Sequence, residues 1–300
     1  MKYISFVLIG IVCFQGLAQN YFDIANISYT NTPSNDFEVS ESQTTVEELA
    51  LELNFPVVIN EKTILLTGFF TNKTKVKLDT NIPSHNLNVL GLNVGINKTL
   101  NDTWSTTFML FSKIASDEIK LSKNNHQIAF LSLFTKKKRS DLKYRYGVYA
   151  NTEKYGLIVV PIFGVYYLSN NKKFEANLNL PIIGDLNYRL NEKSWAGMRF
   201  DGLGTTYNLN NQNYSPNGAY VSKTSNELVG YFRYKLSKSL YVSAKAGYAI
   251  VRNYKVFDSE DKIDLALTAF YLGDNRTQLN ERFKDGAIFK VELLYRLHFD

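Results

Sequence analysis

Hydrophobic and polar residues alternate along most of the chain from residue 20 onward. In VEELALELNFPV at 46–57, every second residue from Leu49 to Val57 is apolar, and Glu52 and Asn54 lie between them. The same period of two recurs in three further segments: LKYRYGVYA at 142–150, KFEANLNL at 173–180 and SLYVSAKAGYAI at 239–250. Successive side chains of a strand point to opposite faces, so each segment predicts a β-strand with one apolar and one polar or small-residue face.

The connections between these segments come in two sizes, which alternate along the chain. Short polar turns lie near 60–62, 100–102, 137–141, 169–172, 191–193 and 237–239. Longer connections lie near 32–45, 73–86, 116–125, 152–155, 181–184, 209–222 and 255–284. Tight turns at one end and loops at the other are typical of a series of hairpins, here about fourteen strands. The number falls to twelve if the short pair around 173–191 is a single irregular excursion.

The strand lengths favour a membrane barrel over a soluble sandwich. The predicted segments run about 9 to 15 residues, whereas strands of globular proteins average nearer five or six. Ten residues with a rise of ~3.3 Å and a tilt of ~40° cover about 25 Å, the height of the apolar band of an outer-membrane barrel. A periplasmic or secreted β protein with its own apolar core remains the alternative, because soluble sheets also alternate.

The last predicted strand, FKVELLYRLHFD at 289–300, has large apolar residues at its odd positions and mostly charged residues at its even positions. In hydrocarbon every backbone polar group needs an internal partner, so the last strand would pair with the first, near 23–30. The apolar face would then meet lipid and the polar face the lumen. Over the whole chain, this alternation assigns nine charged residues to the lumen: Glu48, Glu52, Lys143, Arg145, Glu175, Lys245, Lys290, Glu292 and Arg296.

The composition agrees with a position between lipid and water. Tyr and Phe number 20 each against 2 Trp, and tyrosine combines an apolar body with a polar tip. The formal net charge of +6 is modest for this length. Because the sequence contains no basic helix and no cluster of basic and aromatic residues, we expect no nucleic-acid partner.

The first eighteen residues predict a cleaved signal peptide. Lys2 gives a positive start, an apolar run too short for a spanning helix follows, and Gly16 to Ala18 form a small-x-small cleavage site. Cleavage after Ala18 leaves residues 19–300 as a single domain. Cys13 is the one cysteine, so the mature chain would carry no disulfide, thiolate nucleophile or cysteine metal site.

The sequence offers little catalytic chemistry. His85, His126 and His298 share no obvious face and have no metal-ligand spacing, and the common hydrolase, metalloprotease and phosphate-loop motifs are missing. His126 with Ser132, or His298 with a serine of another strand, would be a hydrolase pair, but nothing selects either. We therefore expect no enzyme activity, no cofactor and no metal site.

Two charged clusters have more than one interpretation. Asp258, Glu260, Asp261 and Asp264 lie in the longest predicted loop, where spaced carboxylates bind Ca²⁺ or bridge lipopolysaccharide through cations. The glycine of an EF-hand loop is missing, so a solvated loop is the simpler interpretation. The basic run at 136–139 predicts a charged short turn, and it would contact lipopolysaccharide phosphates only if it faced outward.

The signal peptide, the alternating strands, the two loop sizes and the last strand make the mature chain resemble a Gram-negative outer-membrane β-barrel. Such barrels end in a strand of alternating hydrophobic residues with an aromatic at or near the terminus, which the barrel-insertion machinery reads. Tyr295, Leu297 and Phe299 fit this signal, although Asp300 follows where the aromatic itself is usually last. The size and layout look like exported barrels catalogued only as domains of unknown function. The resemblance implies the cell outer membrane as location, with its lipid, lipopolysaccharide and the insertion machinery as partners.

We interpret the chain as an all-β, transmembrane, antiparallel up-and-down barrel. Its polar inner face favours a porin-like channel or transporter for small solutes, with the loops near 209–222 and 255–284 contacting solute or partner. Charges of both signs could instead pair across a narrow barrel and plug it, which would make a closed-barrel envelope structural or surface-interaction protein. An outer-membrane lipid-modifying enzyme is the third interpretation.

Overall fold

A computed structural model describes residues 21–210 and 212–298, which form sixteen β-strands. The strands are β1 (Tyr21–Asp36), β2 (Gln43–Asn60), β3 (Thr63–Val76), β4 (His85–Thr99), β5 (Trp104–Ser116), β6 (His126–Arg139), β7 (Leu142–Glu153), β8 (Gly156–Leu168), β9 (Phe174–Leu180), β10 (Ile183–Arg189), β11 (Ser194–Leu209), β12 (Ala219–Lys235), β13 (Leu240–Asp258), β14 (Leu265–Leu267), β15 (Phe270–Leu272) and β16 (Gly286–His298). The predicted signal peptide and Phe299 lie outside the described residues.

Fourteen of these strands form one closed antiparallel ring. Each strand from β1 to β13 pairs with the next, β13 pairs with β16, and β16 pairs with β1. In the part of the chain that the structure describes, no helix is long and apolar enough to cross a membrane. The predicted all-β barrel of fourteen strands is confirmed, and β9 and β10 are separate members of the ring, so the twelve-strand alternative is wrong.

The barrel has a short-turn end, which carries Tyr21 and His298 as well as the short turns, and a loop end opposite. Several strands run further than predicted at both ends. β13 continues to Asp258, inside the predicted loop 255–284, and β6 includes the whole basic run 136–139, which was predicted as a turn. The β6 extension is polar on both faces, and the β13 extension has the apolar residues Val256 and Phe257 side by side, so the hydrophobic alternation that marks a strand in the sequence is missing from both.

Cross-barrel contacts identify the inner face. Glu48 on β2 reaches Lys223 on β12, with 2.7 Å between Oε2 and Nζ, and strand pairing fixes the face of every residue in register with them. The opposite, outer face carries large exposed apolar side chains around the ring: Ile27, Tyr29, Leu49, Phe55, Leu110, Phe130, Tyr146, Phe163, Met198, Leu228, Phe232, Tyr248, Phe289, Val291 and Leu293. Such a barrel is apolar outside and polar inside.

At the loop end the barrel interior is packed rather than hollow. Apolar side chains of β2–β5 and of the adjoining connections meet those of β11–β13, and the central members Tyr207, Leu87 and Val256 are fully buried. The cluster consists of Phe37, Val46, Val76, Leu78, Leu87, Val89, Ala115, Tyr207, Leu209, Ala219, Val221, Tyr254, Val256 and Phe283. This loop-end core fills the part of the barrel interior that lies between these strands.

The wall is uneven beside the hairpin of β9 and β10. These strands have seven residues each, whereas their neighbours β8 and β11 have 13 and 16. The small β14–β15 hairpin, from the long connection before β16, pairs in parallel with β8, with Ala266 opposite Ile158 and Leu267 opposite Val159. The connection predicted as a simple loop therefore supplies a piece of the barrel wall.

Candidate channel lumen

A network of ion pairs crosses the inner face at mid-height. The shortest N–O distances are 2.7 Å for Lys245–Glu292, 2.7 Å for Lys223–Glu48, 2.8 Å for Arg199–Asp201 and 3.3 Å for Lys290–Glu227. These groups come from β2, β11, β12, β13 and β16, so one side of the barrel carries most of the network. Buried charges are tolerated only when they are paired and hydrogen-bonded, as these are.

The strand registers place all nine residues assigned to the lumen on the inner face. Lys245 and Glu292 pair directly, Glu48 pairs with Lys223, and Lys290 pairs with Glu227. The others lie elsewhere on the inner face. Arg145 donates to Asn177 and Asn179, Lys143 lies over the Tyr166 ring, and Tyr166 hydrogen-bonds to Glu175. Glu52 is exposed to the lumen, and Arg296 lies at the short-turn end.

Sequence reasoning missed several partners of these residues. Lys223 and Glu227 on β12 and Arg199 on β11 belong to the network. A signal for β12 exists, since Leu228, Phe232 and Tyr234 lie on one face of KTSNELVGYFRY at 223–234, and the charged residues Glu227 and Arg233 lie on the other. Because Asn226 and Thr224 interrupt the apolar series, the alternation is too short to predict which charged residues face inward.

Arg296 lies on the inner face at the short-turn end, where the first and last strands meet. Its Nε and Nη2 donate to the two carboxylate oxygens of Asp23, at 2.6 and 3.0 Å, and its guanidinium lies 3.5 Å from the centre of the Tyr21 ring. The Tyr241 ring lies 5.4 Å from the same group, and the Tyr241 hydroxyl and His298 Nε2 are 2.7 Å apart. This short-turn plug joins the first strand to the last.

Two cavities occupy the lumen between the loop-end core and the short-turn plug. The lower cavity, toward the short-turn end, has a volume of about 190 Å³ and is lined mainly by polar groups, including Arg199, Arg233 and Glu292. The upper cavity, toward the loop end, has a volume of about 980 Å³ and mixes aromatic and aliphatic walls with polar groups. Glu52 and Asn54 line both cavities, so the two spaces meet at these side chains.

Inside the upper cavity, β11 is tied to the opposite wall. Lys113 on β5 donates to Thr205 Oγ1 at 2.5 Å, and Glu153 on β7 accepts from the backbone N–H of Thr206 at 2.7 Å. Gln127 on β6 donates to the Thr206 carbonyl at 2.8 Å, and Asn208 pairs in parallel with β5. The loop-end part of β11 therefore leaves the wall beside β10 and crosses the interior.

The long connection before β16 is anchored by Arg276. Its guanidinium lies 4.3 Å from the centre of the Phe257 ring, 5.1 Å from Tyr155 and 5.3 Å from Tyr271, and its Nε donates to Asp274 at 2.8 Å. This hydrogen bond lowers the pKa of Asp274. The pair's stabilisation is thus present above the ordinary pKa of an aspartate and is lost as the pH falls through the lowered value.

We expect Arg276→Ala to loosen the β14–β15 hairpin selectively. Loss of the buried ion pair and of contacts with three rings removes about 2 kcal/mol of local stability, which corresponds to roughly 30-fold faster amide exchange. Hydrogen exchange of residues 265–272 in detergent micelles measures this. Arg282→Ala is the matched control, because the Arg282–Glu38 pair in the same connection is about half exposed. Equal exchange in the two variants would contradict the anchoring role.

The histidines and the acidic cluster have structural surroundings. His126 Nε2 lies 2.8 Å from Ser112 Oγ on the outer face, not beside Ser132, and the His85 ring packs at a tilt against the Tyr214 ring, with 5.9 Å between the ring centres. Asp258 accepts from the Ser215 hydroxyl and from the Glu260 N–H. Within residues 21–210 and 212–298, no group of three His, Cys, Asp or Glu side chains is placed to hold a metal ion.

Of the predicted C-terminal signal, Tyr295 and Leu297 lie on the outer face of β16, next to β1. Phe299 lies beyond the described residues. The structure therefore brings the described part of the signal to the seam where the last strand closes the ring on the first.

The closed ring of long antiparallel strands, apolar outside and charged inside, defines a β-barrel of the outer-membrane class. The chain belongs to the family described as Domain of unknown function (DUF6268), whose model matches residues 14–291. No curated protein matches the sequence.

A solved outer-membrane channel shares the fold. The crystal structure of the COG4313 outer membrane channel from Pseudomonas putida F1 has 8% sequence identity and a TM-score of 0.50, covering 91% of this chain and 94% of that chain. The NanC porin has 9% identity and a TM-score of 0.40, covering 91% of this chain and all of its own. At these identities the similarity concerns the fold alone.

Proposed function

We propose that this protein is a channel for small solutes in the Gram-negative outer membrane. The observation that carries the proposal is the pair of cavities that meet at Glu52 and Asn54 inside a closed barrel. A barrel with a purely structural role gains nothing from about 980 Å³ of open space lined by polar groups as well as aromatic and aliphatic side chains. The similarity to an outer-membrane channel supports the same proposal at the level of the fold.

The polarity of the outer face and of the loop end indicates what surrounds the barrel. The exposed apolar side chains of the outer face suit membrane lipid, and the loop end, with its charged connections, suits the lipopolysaccharide surface. We assign recognition by the barrel-insertion machinery to the last strand through Tyr295 and Leu297. The chain is proposed to act without catalysis, since the His126–Ser112 pair lies on the outer face, away from both cavities.

A charge at the junction of the cavities should control ion selectivity. We expect the purified barrel in a planar bilayer to give small conductance steps, and Glu52→Lys to shift the reversal potential in a salt gradient toward anion selectivity. Glu47→Lys is the matched control, because Glu47 lies on the same strand and makes the same charge change on the outer face. A gel that shows heat-dependent migration verifies that each variant is folded.

The closed-barrel alternative makes the opposite prediction. The loop-end core and the short-turn plug are the observations that favour it, since both place packed side chains inside the barrel. A folded, heat-modifiable protein that passes no current, with or without Glu52→Lys, would overturn the channel proposal and support a structural or surface-interaction role.

A further inference from the structure

The barrel wall is incomplete above the β9–β10 hairpin. β9 pairs with β8 only from Phe163 to Leu168, and β10 pairs with β11 only up to Asp201. One further bond runs from the Gly202 N–H to the Ile182 carbonyl, at 2.8 Å. Among the described residues, β8 and β11 are not paired with each other above this point. The ring of fourteen strands therefore closes only in the half nearer the short-turn end.

The inward path of β11 turns this gap into a cleft. Because β11 is tied to β5, β6 and β7, its outer face looks toward the inner face of β6–β8 instead of toward lipid. The upper cavity lies between these two surfaces: Tyr149, Ile158 and Val160 line one side, and Gly204 and Thr224 line the other. The cavity thus contacts residues from both faces of the sheet.

The outer face changes polarity at this height. On β12, Phe232 and Leu228 are exposed and apolar, whereas Asn226 and Thr224, further along the same face, line the upper cavity. A β-bulge shifts the register of β13 between Thr224 and Asn226, and it lies where the change occurs. Lipid contact therefore ends at the level where the cleft begins.

The frame of the opening is apolar on its membrane side. The tip of the short hairpin, Pro181 and Ile182, and the turn of the β14–β15 hairpin at Thr268 line the cavity. Beside them, Phe163 on β8 is 65% exposed and Phe270 on β15 is 73% exposed, both on surfaces outside the barrel. An opening bordered by exposed aromatic side chains adjoins the hydrocarbon rather than the water.

We propose that this opening is a lateral port, through which an amphipathic small molecule with an apolar body and an uncharged polar head passes between the upper cavity and the membrane. The inference rests on the proposed channel function and names its substrate class and route. Phe70, Phe111, Leu131 and Tyr149 supply walls for an apolar body, and Asn93 and Asn151 supply hydrogen bonds for a head group. Lys113 and Arg276 in the lining are engaged by Glu153 and Asp274, so neither of these two cations is offered to a charged head.

Gly204 offers a way to block the port. A Cβ built at this glycine would meet only the Lys223 carbonyl, at 3.9 Å, so a side chain there has room without disturbing the strand. Gly204→Phe places a phenyl group on the cleft side of β11, in the upper cavity. Gly230→Phe is the matched control, because its nearest contacts are also at 3.9 and 4.0 Å but it lies on the outer face, beside a groove away from the cleft.

The test uses bromododecanol, a neutral amphiphile that quenches tryptophan on contact. Tyr149→Trp in a Trp104→Phe, Trp195→Phe background places one reporter on the cavity wall of the full mature barrel in lipid vesicles. We expect saturable quenching by bromododecanol, with entry about tenfold slower when Gly204→Phe is added and unchanged when Gly230→Phe is added. Heat-modifiability gels verify folding of each variant.

Two outcomes would overturn the lateral port. One is reporter fluorescence that bromododecanol leaves unquenched, and the other is quenching that Gly204→Phe leaves as fast as Gly230→Phe does. If either occurs while the same protein conducts ions, the channel proposal stands and only the lateral route is wrong. If quenching is saturable and slowed by Gly204→Phe in a barrel that carries no current, the lateral port is supported and the ion-conducting function is wrong.

Discussion

Replacing Glu48 with alanine is expected to lower the free energy of unfolding by about 3 kcal/mol, because it leaves the Lys223 ammonium buried without its counter-ion. The side chain of Lys223 is only 7% exposed, and Glu48 also accepts a hydrogen bond from Thr74. Urea unfolding in lipid vesicles, followed by tryptophan fluorescence, measures the change.

The control and the coupling test use the same strands. Glu47→Ala, on the outer face of β2, should change stability by less than about 0.5 kcal/mol. The double variant Glu48→Ala, Lys223→Ala should lose less than the sum of the two single variants, because it removes the unpaired charge together with its partner. Equal losses for Glu48→Ala and Glu47→Ala would show that the cross-barrel pair contributes nothing.

Replacing Arg296 with alanine is expected to open the short-turn end. Its two hydrogen bonds to Asp23 involve charges on both sides, and removing them forfeits about 1.5 to 3 kcal/mol that favours the plugged state. A loss of that size raises the open fraction about tenfold or more. Planar-bilayer recordings should show a matching rise in open probability if the lumen conducts.

Arg189→Ala is the comparison for this effect. Arg189 lies at the same end of the barrel, but it is exposed and its Nε donates only to the Asn191 carbonyl, at 3.3 Å. Its loss should leave the open probability unchanged. If the two arginine variants behave alike, the plug at Asp23 and Tyr21 does not limit passage.

The hydrophobic alternation predicts the architecture, because every strand of a barrel in lipid needs one apolar face. Segments such as 46–57 and 239–250 have one apolar face, and the short turns between hairpins are polar, so strand number and order followed from the sequence. Where strands extend past the apolar band, as in β6 at 136–139, this physical requirement ends. The hydrophobic alternation also ends there, so the sequence predicts a turn for the basic run.

The candidate site was only partly visible for a different reason. Alternation assigns residues such as Glu48 and Lys290 to a face, but their partners Lys223 and Glu227 depend on which strands lie opposite across the lumen. The crossing of β11 depends on Lys113 and Glu153, which reach Thr205 and Thr206 from strands on another part of the ring. These contacts join residues far apart in the sequence, and no local pattern encodes them.

The parallel pairing of β14 with β8 also bears on assembly. Until the connection before β16 is in place, the loop-end half of β8 presents an unpaired row of backbone donors and acceptors, next to the short β9. An exposed edge of this kind can pair with another chain. The β14–β15 hairpin covers it with a segment that follows β13, almost at the end of the chain. A chain that stops after β13 would therefore leave this edge exposed even with most of its wall built, and it would be prone to pair with another chain.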